Sequence, residues 1–194
     1  MNEHFLYYWS MWMIFIIIYF FMPQNKNRSI LIAWVLLLIL CTDQYILIDG
    51  IQYSVAFFLL IVGAIVFYVY RSVSMYQIMV TFIVMIAYIA ILMWKKITPV
   101  WFFMPSYFMI AVMSVMLILF LMYSFYGQLS VALVGLSFGH FIYELLMMSY
   151  KLHVFVGERI FFIHVSLTIL LLFFIHFTQI IISKITKRIR RNIV

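Results

Sequence analysis

The residues with the most chemical potential lie together in Gly135-Leu-Ser137-Phe-Gly139-His140-Phe-Ile-Tyr143-Glu144. On a helix turning about 100° per residue, Ser130, Ser137, Glu144 and Lys151 recur every seventh position, and His140 falls within about 60° of them. They form one polar stripe. Gly135 and Gly139 point roughly 160° away, and a Gly-x-x-x-Gly pair lets another helix backbone approach closely. A helix with requirements on both faces belongs inside a bundle.

Several chemistries are open to such residues, and spacing removes most of them. The Gly-x-Ser-x-Gly match at Ser137 works as a nucleophile elbow only on a strand-to-helix turn, whereas here it sits within an apolar helical run. An intramembrane serine protease of the rhomboid kind would use His164 as a base on another helix, but Phe138 stands where the second glycine of that signature belongs. A haem ladder would need His140 with His153 and His164 with His176 on shared faces. Separations of 13 and 12 residues turn a helix by about 220° and 120°, so neither pair qualifies. His140 and Glu144 at i, i+4 make only two metal ligands, with no cysteine or third histidine beside them. A retinal-type lysine in the middle of the last span is also missing, since Lys184 lies beyond its end. We expect no catalytic residues, metal site or cofactor.

Depth supplies a better-motivated cluster. Counted from the ends of the apolar runs, Asp43, Glu144 and His164 lie at similar height on the second, sixth and seventh runs. Ionisable groups in hydrocarbon cost several kcal/mol unless paired, so these side chains should face inward and meet, with His140 beside them and Asp49, Lys151 and Arg159 above. The functional reading is a proton- or ion-responsive pocket open to the outside; the structural reading is interhelical hydrogen bonding, each bond worth about 0.6 to 2 kcal/mol.

The elements that must position these groups are seven apolar runs: Phe5 to Met22, Ile30 to Ile48, Ile51 to Tyr70, Val73 to Trp94, Val100 to Tyr126, Leu129 to Tyr150 and Ile160 to Ile182. At about 1.5 Å per residue each reaches roughly the 30 Å of a hydrocarbon core. With 69% hydrophobic and 9% charged residues, the 194-residue chain has too little polar surface for a water-soluble globule. Continuous runs rather than short alternating ones select helices over a barrel, because backbone groups in lipid must be satisfied within the chain. The expectation is an all-α, polytopic transmembrane bundle forming one domain over 1–194. Asp49-Gly50 is a tight-turn signal between the second and third runs, and Pro105 suits a first turn or a kink. Trp9, Trp12, Trp94 and Trp101 lie near run ends as interfacial anchors. Cys41 is single, so it forms no intrachain disulfide. The leader before Phe5 carries no positive charge, and no small-x-small cleavage pattern follows Met22, so the first run is read as a helix rather than a signal.

Basic residues near span ends tend to stay cytoplasmic. Lys26, Arg28, Arg71 and the tail cations Lys184, Lys187, Arg188, Arg190 and Arg191 fall on one side, eight in all; Lys95, Lys96, Lys151 and Arg159 fall on the other. The N-terminus should be outside and the C-terminus inside. The five tail cations are expected to contact anionic lipid headgroups, each attracted by about 1 kcal/mol. Membrane lipids are thus the expected partners, with a membrane-protein partner or homo-oligomer beside them; nucleic acid is not, because no soluble domain presents a surface for it despite the net charge of +7.

The opening Phe5-Leu-Tyr-Tyr-Trp-Ser-Met-Trp-Met-Ile-Phe, the basic first loop through Lys26 and Arg28, and the Gly139-His140…Glu144 helix together resemble the YphA-type small membrane proteins of Gram-positive bacteria. The resemblance implies a bacterial plasma-membrane protein and carries over no functional residues. The expected function is a non-enzymatic, multi-pass component of the cell membrane. A small proton- or ion-coupled transporter or channel using the outer-leaflet polar cluster is the alternative, followed at a distance by an intramembrane enzyme.

Overall fold

In a computed structural model, the structure describes residues 3–48, 51–70, 74–101, 104–150 and 155–193, without the side chains of 3, 48 and 187–193. Seven helices dominate: α1 Glu3–Phe21, α2 Lys26–Cys41, α3 Val55–Val69, α4 Met75–Ile97, α5 Ser106–Leu121, α6 Phe125–Ser149 and α7 Arg159–Ile193. Four of them, α1, α4, α6 and α7, are long and apolar enough to cross a membrane. At about 1.5 Å per residue, α2, α3 and α5 reach only about 22 to 24 Å.

Burial follows the rules of a bilayer rather than of water. Phe82, Ile83 and Ile86 on α4, and Phe174 and Phe177 on α7, are exposed, while Ser10, Ser114, Ser130, Ser137, Ser166 and Thr168 are buried. The buried hydroxyls are satisfied locally or across helices. Ser137 donates to the Leu133 carbonyl at 2.6 Å, Thr168 to that of His164 at 2.7 Å, and the Ser10 and Ser166 hydroxyls meet at 2.8 Å between α1 and α7. Gln77 on α4 reaches Ser130 on α6 at 2.8 Å.

Helix α6 is the central element, buried without a break from Gln128 to Ser137 and packed against α3, α4, α5 and α7. Its most extensive partner is α4. A Cβ at Gly135 would lie 3.0 Å from Val84 Cγ1, and one at Gly139 3.0 Å from Tyr88 Cδ1 and 3.1 Å from the Met85 carbonyl oxygen. The two glycines therefore set the α4–α6 spacing.

Three features depart from the apolar runs as read from sequence. Residues Tyr45–Ile48 (β1) and Ile51–Ser54 (β2) pair antiparallel, and β2 pairs parallel with Phe155–Val156 (β3), Gln52 opposite Phe155. The second run is thus helical only to Cys41, and the third only from Val55. The reason is local: Tyr45-Ile-Leu-Ile and Ile51-Gln-Tyr are aromatic and β-branched segments around Asp-Gly, which favours a hairpin; Asp49 and Gly50 themselves lie outside the described residues. The fifth run is also divided. A short 3₁₀ turn, Pro99–Trp101, precedes α5, which begins after Pro105 and ends at Leu121. Ser124 then caps α6 by accepting the Gly127 N–H at 3.2 Å, so α6 starts at Phe125 instead of Leu129. Finally, α7 continues unbroken to Ile193, drawing the basic tail into the helix.

Candidate functional site

The small sheet and the ends of α4, α6 and α7 enclose a cavity of about 650 Å³. Tyr88, Lys95 and Lys96 come from α4, His140 and Glu144 from α6, and Glu158 and His164 from the start of α7 or just before it. Gln52 on β2 and Phe155 on β3 border the same space.

His140 is held from three directions. Its ring stacks on Phe161 at 4.3 Å between centroids and 12° between planes, with the edge of Phe57 at 5.8 Å. Its Nε2 accepts the Gly157 N–H at 3.2 Å. Gly157 can make that bond because its φ is +80°, a conformation open to glycine, and because a Cβ there would sit 2.6 Å from Phe57 Cβ. An accepting Nε2 assigns the hydrogen of the neutral ring to Nδ1, which is buried with no partner among the described residues.

His164 faces α4. Its Nδ1 lies 2.9 Å from the Tyr88 hydroxyl, and its Nε2 is also buried with no partner among the described residues. Tyr88 is 1% exposed, so donation of its hydroxyl hydrogen to Nδ1 is the arrangement that leaves fewest groups unsatisfied. Glu144 lies 3.8 Å from His140 Nε2, outside hydrogen-bonding distance, and the Phe155 backbone N–H is a further donor towards its carboxylate. Lys96 donates to the Met147 sulfur at 3.0 Å, a weak acceptor for an ammonium.

The structure therefore brings His140, Glu144 and His164 around one cavity, and it places Asp43 elsewhere. Because α2 ends at Cys41, Asp43 stands in the turn before β1, where it binds Arg159 and accepts the Tyr8 hydroxyl at 3.0 Å. Arg159 also meets His4, and Tyr7 bonds Thr42 at 2.5 Å, so this second cluster ties the start of α1 to the end of α2 and the start of α7. The Arg159 guanidinium beside Asp43 holds its carboxyl below the usual carboxylate value; burial opposes this shift and the Tyr8 hydroxyl adds to it. Glu144 thus has neither Asp43 nor His164 as a partner. Of the other residues named from sequence, Lys151, His153 and Asp49 lie outside the described residues. Lys184 is exposed on α7, and nothing is described of the side chains of Lys187, Arg188, Arg190 and Arg191.

Tyr88, Lys95, Lys96 and Glu158 are the site residues that depth counting did not bring into the cluster. A signal for the first two existed: Tyr88 and Lys95 are a heptad apart, and Val80, Val84, Tyr88 and Leu92 form the buried stripe of α4. Among the described residues no group of three or more His, Cys, Asp or Glu is arranged to hold a metal ion.

The far end of α6 and α7 has a different character. His176 stacks on Phe125 at 4.0 Å, and between that pair and the cavity the two helices bury Leu133, Leu136, Val165 and Leu172. The hydroxyls on this stretch, Ser130, Ser137, Ser166 and Thr168, are turned to carbonyls of their own helices, and Ser130 also accepts from Gln77 while Ser166 meets Ser10.

A family model described as YphA-like integral membrane protein matches residues 3–193. No curated protein and no solved structure matches the chain.

Proposed function

The chain belongs to the YphA-like integral membrane proteins, and on that footing we propose that it is a non-enzymatic component of the plasma membrane whose working part is a ligand-binding cavity closed towards the membrane interior. It crosses seven times, with the N-terminus and the sheet outside and the helical tail inside against anionic lipid. The eight-to-four distribution of basic residues supports that orientation. The three short helices cross at sites where the sheet, the 3₁₀ turn and the loops make up the remaining thickness.

One observation carries the functional reading: the charged and titratable lining ends at His140 and His164, and from there to His176 the two helices bury Leu133, Leu136, Val165 and Leu172 among hydroxyls already bonded to carbonyls of their own helices. A conduit needs polar groups through the hydrocarbon region, and a binding site needs them at one end only. Reporter fusions at both termini test the topology, and both ends on one side would overturn it. Proteoliposomes carrying the full chain and a pH-sensitive dye test the closed cavity: the expected result is a proton leak equal to that of empty liposomes. A leak abolished by Glu144→Gln would instead establish the second reading, coupled transport, which the gathering of His140, His164, Glu144, Glu158, Lys95 and Lys96 around one cavity favours.

A further inference from the structure

The bonds at the two ends of α2 fix how much of that helix can lie in hydrocarbon. At one end Arg28 Nη1 donates to the Tyr19 and Met22 carbonyls, both at 3.4 Å, and its guanidinium lies 5.3 Å from the Tyr19 ring centroid. At the other end the Asp43 carboxylate pairs with Arg159 and accepts the Tyr8 hydroxyl at 3.0 Å. A charged side chain near a span end ordinarily relieves a mismatch by snorkelling towards water, but these two are tied to α1 and α7 at the level where they stand. At 1.5 Å per residue, Arg28 and Asp43 are separated by about 22 Å along the chain. On α4 the corresponding polar groups, Ser74 at the N-cap and Lys95 in the last turn, are about 31 Å apart, which matches an ordinary hydrocarbon core of about 30 Å.

The surface of α1 and α2 agrees with the shorter figure. Ile30, Leu37 and Leu40 are exposed between the two anchors of α2, whereas Asn25, Lys26 and Asn27 are exposed at one end and Asp43 and Gln44 at the other. On α1, exposed Trp9 and Trp12 follow Tyr8, and exposed Tyr19 lies beside Arg28. Such rings favour the headgroup zone, and along α1 only about 10 Å separates Trp12 from Tyr19. Helix α3, packed on α2, reaches only about 22 Å. The turn and sheet that complete the crossing of α2 begin with Asp43 and Gln44, which hydrocarbon does not solvate. A bilayer of full thickness would cover about 8 Å of such polar chain; one that thins beside α1, α2 and α3 leaves it among the headgroups.

Resting on the reading of α2 as a crossing helix, we infer that the side formed by α1, α2 and α3 thins the bilayer against it, and that the lipids fitting this surface are phospholipids with short acyl chains. The full chain in nanodiscs of phosphatidylcholine with myristoleoyl, palmitoleoyl, oleoyl, eicosenoyl or erucoyl chains tests this by thermal unfolding. Tm should be highest in the two shortest and lower by about 5 °C or more in the two longest. A Tm that is flat across the series, or that rises with chain length, overturns the inference. Nitroxide labels at Leu40→Cys and, separately, at Ile30→Cys, each in a Cys41→Ser background, give a second reading by power saturation in oleoyl bilayers. Their depths below the headgroups, one from each face, should sum to about 8 Å, and a layer of full thickness would make the sum about 16 Å and overturn the inference. Should a labelled variant fail to fold, the acyl-chain series on the unaltered protein decides alone. Failure with the two termini on opposite faces would overturn the thinned bilayer and leave the seven crossings standing; termini on one face would overturn the reading on which both rest.

Discussion

Substitution at Gly139 is the most direct probe of how the site is held. An alanine Cβ there would lie 3.1 Å from the Met85 carbonyl oxygen, a backbone atom that cannot rotate away, and 3.0 Å from Tyr88 Cδ1. Alanine brings about 1 kcal/mol of helix propensity relative to glycine. Against this, overpacking a tight contact costs about 1 to 3 kcal/mol. The net expectation for Gly139→Ala is a loss of about 0 to 2 kcal/mol. Gly135→Ala should cost less, because its closest neighbour is the Val84 methyl and the Thr81 carbonyl stands back at 3.4 Å. Leucine at position 139 extends further into α4 and should prevent α4 and α6 from docking. Because Tyr88 is the displaced side chain and bonds His164, Gly139→Ala should also weaken any ligand bound in the cavity, whereas Gly135→Ala should not. Thermal unfolding in detergent, followed by monodispersity on gel filtration, gives the order. The argument fails if Gly139→Leu folds with unchanged Tm, or if Gly135→Ala is the more damaging of the two alanine variants.

Gly157→Ala should cost about 1 to 2 kcal/mol for the left-handed backbone alone, with the Phe57 contact adding to it, and should lower Tm more than an alanine at any exposed helical position. Tyr88→Phe removes the hydroxyl from His164 Nδ1 and leaves a buried imidazole with no hydrogen-bond partner among the described residues, a loss of about 1 to 3 kcal/mol readable as a lower midpoint of unfolding. Asp43 has a folded-state pKa below its unfolded value, so its contribution is present above the ordinary carboxylate value and is lost as pH falls through the lower folded value. Its side chain is 52% exposed, which limits the pair to about 0.2 to 1 kcal/mol. Tm measured against pH should show that acid-side loss in the unaltered chain and a shallower one in Asp43→Asn; identical profiles would remove the ion pair from the account.

The helical class and the central place of α6 were legible because they rest on long-range patterns: apolar runs, and a helix with glycines on one face and polar groups on the other. The ends of the elements were not. Hydropathy alone cannot distinguish the last turns of a helix from a short buried strand, so Tyr45–Ile48 read as the continuation of α2. Asp-Gly between β-branched segments is the competing signal, but it serves a turn between helices equally well. The ambiguity reaches the candidate site: with α2 extended to Ile48, Asp43 falls at the same depth as Glu144 and His164. With α2 ending at Cys41, Asp43 is free to meet Arg159 and Tyr8. Lys96 and Glu158 stood out only as charges in connections, because nothing in a one-dimensional reading brings the end of α4 against the start of α7.

The parallel pairing of β2 with β3 bears on the order in which the molecule is assembled. Gln52 and Phe155 are joined across about a hundred residues, and contacts of such sequence separation form late because the intervening chain must first be closed. During synthesis the hairpin of β1 and β2 is made long before β3 leaves the ribosome, and it waits beside an unfinished bundle. The cavity gains its last wall only when α7 arrives with His164 and the turn before it delivers Phe155 and Glu158. A chain arrested after α6 would hold most of the helices and none of the enclosed site, so ligand occupancy would distinguish a finished molecule from a nascent one.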